Sequence, residues 1–105
     1  DGGIVGEPAE ELVRQFQMEY AVIGISGIQP NGNLLDYDLR EVRVSQTIIN
    51  NASKVFLCAD ASKFGRTPMV KLGHISQVDQ LFTDRPLTED YSQLLAKHEV
   101  TVRIP

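Results

Sequence analysis

The amino-acid sequence predicts an α/β domain, layered around a mostly parallel sheet that is flanked by helices, and three observations carry that prediction. Short apolar runs rich in β-branched residues alternate along the chain with amphipathic stretches. The clearest of these runs are continuous, the pattern of strands covered on both faces of a parallel sheet. The stretches between them can form crossover helices, and crossovers within one sheet are right-handed in nearly all proteins.

Pro8 stands where the first position of a helix tolerates it, because the missing N–H would have no partner there. Leu12, Val13 and Phe16 follow at helical spacing, so a helix is predicted over residues 8–17. Residues 20–25, Tyr-Ala-Val-Ile-Gly-Ile, form the first strand, expected to be buried on both faces. Gln29-Pro30-Asn31-Gly32-Asn33 is a turn, in which Pro fixes φ and Gly accepts positive φ. Asp38 can cap the next helix by accepting an orphan N–H. Leu39, Val42, Ile49 and Ala52 are expected on one face of that helix with Ile48 beside them, and Arg40, Gln46 and Asn50 elsewhere on its surface. Residues 54–59 form the second strand. Residues 69–75 contain Gly73 and mixed polarity and are expected as a short extended piece, and residues 80–83 as a third strand. Thr88 can cap a last helix whose first turn carries Glu89 and Asp90 and whose last turn carries Lys97 and His98, charges that complement the helix dipole. Residues 100–104 close the chain as an edge strand.

One domain is the ceiling for 105 residues. A 42% hydrophobic content is enough for a real core, and 23% charged residues suit an ordinary globular surface. Fourteen acidic residues against ten basic ones give a net charge of −4, which argues against this span holding DNA by itself. No run approaches the roughly 18 apolar residues of a membrane span. The chain opens Asp1-Gly2-Gly3 without a Met, a basic region or a cleavage site, so an excised cytoplasmic fragment is expected. Cys58, the single cysteine, cannot form an internal disulfide. Within the apolar run Val55-Phe56-Leu57-Cys58-Ala59 it reads as a small buried hydrophobe. His74 and His98 lie far apart and lack a metal-ligand spacing, so neither metal nor cofactor is expected. No nucleophile elbow, Walker loop or dinucleotide fingerprint is present.

Ligands of open parallel sheets bind at the carboxyl ends of the strands. The first strand runs into Ser26-Gly27-Ile28-Gln29 and the second into Asp60-Ala61-Ser62-Lys63-Phe64-Gly65-Arg66. Gly27 allows a close backbone approach, and Ser26 can donate to an oxyanion or a hydroxyl. Lys63 supplies a compact positive charge for a phosphate, and Asp60 can accept from a sugar hydroxyl. Between the two segments Asp36, Asp38, Glu41 and Arg43 lie near a helix start. Each has a plainer reading. Ser-Gly is a common tight turn, Asp38 an N-cap, Arg43 the partner of a neighbouring acid, and Asp60–Lys63 a solvated loop. The residues alone give a small-ligand α/β domain.

The particular strings say more. Asp1-Gly2-Gly3-Ile4-Val5-Gly6-Glu7, Ile23-Gly24-Ile25-Ser26-Gly27-Ile28, Glu41-Val42-Arg43, Asp60-Ala61-Ser62-Lys63-Phe64-Gly65-Arg66 and Thr83-Asp84 follow one another in an order and spacing that resemble the DeoR-family sensor domain. That resemblance implies a two-part repressor. Its helix-turn-helix reads operator DNA, and its sensor binds a small phosphorylated metabolite, with glycerol 3-phosphate expected. It implies further that residues 1–105 are the carboxyl-terminal part of the sensor, a partial domain. The DNA-binding part and the sensor's first half, with a Gly/Thr-rich phosphate loop, would lie outside it. A homo-oligomer without membrane contact is expected. The sensor fold is similar to that of ribose 5-phosphate isomerase and the CoA-transferases. Where the isomerase has an Asp-Gly-Ala-Asp loop this chain has Ser26-Gly27-Ile28-Gln29, and Gln46 stands where a catalytic Glu is expected. A hydroxyl and two amides can recognise a sugar but cannot move protons between its carbons. The expectation is a binding module with no catalytic residue, whose ligand meets Ser26, Gly27, Asp38, Glu41, Arg43, Asp60 and Lys63. The alternatives are an oligomerisation platform for the repressor and a sugar-phosphate isomerase with an altered acid set.

Overall fold

The computed structural model describes Pro8 and residues 17–105, so the helix expected over residues 8–17 lies almost wholly outside the described residues. The chain forms β1 (Met18–Gly24), β2 (Gly27–Ile28), β3 (Asn33–Asp36), α1 (Leu39–Asn50), β4 (Ala52–Cys58), β5 (Val70–His74), β6 (Gln80–Phe82), α2 (Glu89–Lys97) and β7 (Thr101–Arg103). Short 3-10 turns at Ala61–Lys63 and Ile75–Gln77 punctuate the loops.

Four strands form a parallel sheet in the order β1-β4-β6-β7. The expected α/β class and the edge position of the last strand are both observed. A second sheet, β2-β3-β5, is antiparallel and was not foreseen. It arises because the Gln29–Asn33 turn closes a tight hairpin. Gly32 N–H donates to the Gln29 carbonyl at 2.9 Å, and Gly32 adopts the positive φ of 94° that its lack of a side chain permits. The segment expected as an extended piece is β5, the outer strand of this second sheet.

One core serves both sheets. Ile23, Val55, Leu57 and Leu81 of the parallel sheet pack with Val42 and Ile49 of α1, Leu95 of α2, and Ile28, Leu34, Leu72 and Ile75 from the antiparallel side. Val42 and Ile49 face inward as expected, whereas Leu39 is exposed and Ala52 has already entered β4. Val44 and Thr47 are also buried, so the helix is covered over more than the single stripe its apolar residues mark. α2 starts after Thr88 without a side-chain cap from that residue.

β1 departs from expectation in one respect that matters later. Its burial alternates, with Ala21 and Ile23 in the core but Tyr20 and Val22 exposed, so only one of its faces is covered by the described residues. Cys58 shares the uncovered face and is exposed, not the buried hydrophobe its neighbours in sequence predict. Among the described residues no helix is long and apolar enough to cross a membrane.

Candidate functional site

β1 and β4 are adjacent and in register to their ends, Gly24 beside Cys58, so the segments that follow them leave the sheet side by side. The first segment folds straight back. Ser26 N–H donates to the Leu35 carbonyl at 3.0 Å, and Ser26 Oγ donates to Asp36 Oδ1 at 2.9 Å. Asp36 Oδ1 also accepts from Tyr37 N–H at 2.7 Å. Two residues on, Asp38 Oδ1 accepts from the backbone N–H of Arg40 at 2.8 Å and of Glu41 at 3.4 Å, the geometry of an N-cap. The hairpin thus brings the amino end of α1 to the carboxyl end of β1.

The second segment is held in several places. Asp60 caps the Ala61–Lys63 turn, accepting from Ser62 N–H at 3.0 Å and from the Ser62 hydroxyl. Asp84, at the end of β6, accepts from Ala61 N–H at 2.7 Å. Gly65 N–H donates to the Ile28 carbonyl at 2.8 Å, and Phe64 forms an isolated bridge with Ile28. Tyr91 of α2 locks this junction: its hydroxyl donates to the same Ile28 carbonyl at 2.9 Å, and its ring meets Phe64 edge-on at 4.9 Å. Burial pushes the Tyr91 phenol upward, against the opposing influence of the Gly65 N–H. Gly27 fits because it has no side chain. An added Cβ would lie 2.6 Å from Pro68 Cδ and 2.8 Å from the Arg66 carbonyl carbon.

The electrostatics of the second loop follow from this geometry. The Ser62 hydroxyl holds the Asp60 carboxyl below the usual carboxylate value against an opposing desolvation, and the Lys63 charge, the Ser62 N–H and the Arg66 charge add to the lowering. Lys63 is half-buried and Arg66 exposed. Two cations therefore stand within electrostatic reach of one fixed carboxylate at the end of β4.

Of the seven residues expected from sequence, Ser26, Gly27, Asp60 and Lys63 lie on the two neighbouring loops. Asp38 and Glu41 join them through the Ser26–Asp36 bond and the helix start. Arg43 is exposed on the second turn of α1. Asp60 also lines a hollow of about 600 Å³ with Thr83, Asp84 and Arg103, at the ends of β4, β6 and β7. Gln29, half-buried, and Gln46, exposed, each make a side-chain bond within the chain. Gln29 Oε1 accepts from Asn33 Nδ2 at 3.1 Å across the hairpin turn, and Gln46 Nε2 donates to the Leu72 carbonyl at 3.1 Å on β5. Sequence reasoning assigned no role to Asp36, Arg66 or Asp84. Arg66 was legible as a further base in the same string, but Asp36 and Asp84 reach these loops only through the hairpin and the β6 end. His74 and His98, distant in sequence, meet edge-on at 5.2 Å. The His74 ring is already bonded on both sides, Nδ1 to Ser76 N–H at 3.1 Å and Nε2 to the Asn31 carbonyl at 2.8 Å.

A family model, that of the DeoR C-terminal sensor domain, matches residues 1–85. The chain belongs to the DeoR C-terminal sensor domain family. Over 104 residues, 99% of the chain, this DeoR sensor is 42% identical to the glycerol-3-phosphate regulon repressor of Escherichia coli (strain K12), of which the match covers 41%. It is 46% identical over 83 residues, 79% of the chain, to the glycerol-3-phosphate regulon repressor of Haemophilus influenzae, covering 32% of that protein. It is 29% identical over its whole length to the HTH-type transcriptional repressor CsqR of E. coli, covering 40% of that protein. The DeoR sensor chain thus spans about two-fifths, or less, of the length of these regulators.

Proposed function

We propose that this chain is the effector-sensing part of a DNA-binding transcriptional repressor and that its effector is a small phosphorylated metabolite, glycerol 3-phosphate before other sugar phosphates. The observation that carries the reading is the meeting of the β1 and β4 loops at the carboxyl end of the parallel sheet, where Lys63 and Arg66 flank the fixed carboxylate of Asp60. Lys63 and Arg43 are assigned the phosphate charge. Ser26 and Gly27 are assigned the close approach, and Asp38, Glu41 and Asp60 the hydroxyls. The names of the glycerol-3-phosphate regulon repressors, similar over most of this chain, favour glycerol 3-phosphate among the candidates.

Residues 1–105 are on this reading the carboxyl-terminal part of the sensor, and operator DNA is contacted by another part of a homo-oligomeric repressor. A net charge of −4 on this span fits that division. The effector acts by binding one arrangement of subunits better than another, which shifts the population able to hold DNA. No catalysis is assigned. The hydroxyl of Ser26 and the amides of Gln29 and Gln46 cannot serve as bases near neutral pH.

Titration calorimetry on the full-length repressor tests the reading. Glycerol 3-phosphate should give saturable heat, and Lys63→Ala should weaken binding about tenfold, the loss of one charge-assisted contact. A folded protein that gives no saturable heat with any sugar phosphate rejects the sensing role, and an unchanged affinity in the variant removes Lys63 from the site. Turnover in a sugar-phosphate interconversion assay would reject the non-catalytic assignment.

A further inference from the structure

Among the described residues, Thr83 Oγ1 is the one buried side-chain oxygen or nitrogen without a hydrogen-bond partner. Thr83 is 5% exposed and lines the hollow of about 600 Å³ at the carboxyl ends of β4, β6 and β7. Buried hydroxyls nearly always find a partner, because leaving water without one is unfavourable. The exception here stands at the end of a parallel strand, where sheets of this kind bind their ligands. It points to a partner that arrives with a ligand.

The end of β6 is firmly held. Thr83 N–H donates to the Arg103 carbonyl at 3.0 Å, and the Phe82 carbonyl accepts from Ala59 N–H at 3.1 Å, which fixes this end between β4 and β7. The next residue, Asp84, accepts from Ala61 N–H at 2.7 Å and so ties Thr83 to the loop of Asp60. Asp60 lines the same hollow. Its bonds to Ser62 fall on Oδ1, which leaves Oδ2 to accept from a ligand. Phe82 and Ile104 add apolar wall. Phe82 and Cys58, neighbours in register, bring the hollow to the uncovered face of the sheet. Two carboxylates stand here against the single guanidinium of Arg103, which already donates through Nε to Gln80 Oε1 at 3.4 Å. Like charge disfavours a phosphate at such a place. Uncharged hydroxyls suit it, since a carboxylate accepts from them and a threonine hydroxyl both donates and accepts.

We infer that this hollow is the subsite for the hydroxyl-bearing end of the effector, with Thr83 Oγ1 as the contact that distinguishes a polyol phosphate from a plain alkyl phosphate. The inference rests on the sensing role proposed above and divides the ligand between two places. The phosphate stays with Lys63, on the loop after β4. The hydroxyls meet Thr83, Asp84 and Asp60, and the carbons lie against Phe82 and Ile104. Asp60 lines the hollow and caps the turn that presents Lys63, so the two places are neighbours, as a ligand of a few carbons requires. A site built to bond a hydroxyl rejects the analogue that lacks it, because its own polar group is then left unpaired.

The test is titration calorimetry on the full-length repressor with two esters, glycerol 3-phosphate and propyl phosphate, its analogue without hydroxyls. The parent should bind glycerol 3-phosphate at least about tenfold more tightly. Thr83→Val keeps the shape of the side chain and removes the hydroxyl. It should weaken glycerol 3-phosphate about tenfold and leave propyl phosphate unchanged. Thr83→Ser retains the hydroxyl and should recover most of the loss. A parent that binds the two esters alike, or a Thr83→Val variant that weakens both equally or neither, overturns the inference. Melting without ligand gives a second reading. Because the hydroxyl has no partner among the described residues, Thr83→Val should leave the thermal midpoint unchanged or raise it. A midpoint lowered by several degrees means that the hydroxyl is bonded elsewhere in the polypeptide, and the subsite falls. The two proposals fail separately. A repressor that binds neither ester loses glycerol 3-phosphate as its effector and this subsite with it. One that binds glycerol 3-phosphate with the same affinity after Thr83→Val loses the subsite alone.

Discussion

Asp60 gathers more interactions than any other side chain of the proposed site: two donors from Ser62 and two nearby cations. Its folded value lies below the ordinary 3.8, so the cap it provides is complete above pH 3.8 and fails only as pH falls through the lower folded value. The turn that presents Lys63 should therefore be insensitive to pH around neutrality. Ser62→Ala removes the largest of the lowering influences and should move the Asp60 titration up toward 3.8, read from the carboxyl carbon by NMR. A midpoint unmoved by the substitution would show that the hydroxyl does not set it. Gly27 is the other residue whose identity has a local cause. Gly27→Ala drives a methyl into the Arg66 carbonyl and the Pro68 ring and should cost about 1–3 kcal/mol in urea unfolding, as overpacking does. The sequence marked Gly27 as a place of close approach. In the structure the chain's own Arg66 and Pro68 make one such approach.

At the scale of elements, local chemistry was the most readable. Asp38 was legible as a cap because a short acceptor side chain stands just before an amphipathic stretch, and its carboxylate takes the first free N–H groups of α1. Asp38→Ala should destabilise the protein by about 1 kcal/mol, measured by chemical denaturation. Affinity for glycerol 3-phosphate, measured alongside, separates the cap from the ligand role assigned to the same residue. The antiparallel sheet was not legible. Gln29–Asn33 was recognised as a turn, but β2 is two residues long and β3 four, too short to show a period. Their pairing is fixed by partners far along the chain, Leu34 with Gly73 and Asp36 with Val70. The Ser26–Asp36 contact depends on that hairpin, which is why Asp36 was named near a helix start but not joined to the site.

Across the whole molecule a single core joins two sheets, and Leu57, wholly buried in β4 between β1 and β6, is at its centre. Leu57→Ala should cost about 2–5 kcal/mol, the range for a large-to-small change where the surroundings cannot collapse, and calorimetric melting would check it. By itself the sequence determined the α/β class, the parallel strands, the starts of both described helices and the two strings that meet at the end of β1 and β4. Those features rest on neighbours within a turn or a strand, where residue type and spacing act directly. Only the tertiary structure decided which face of the sheet the described residues leave uncovered, that Cys58 is exposed on it, and that Asp36 and Asp84 reach the candidate site. These depend on the direction of each crossover and on pairings between distant segments, and no local pattern encodes them.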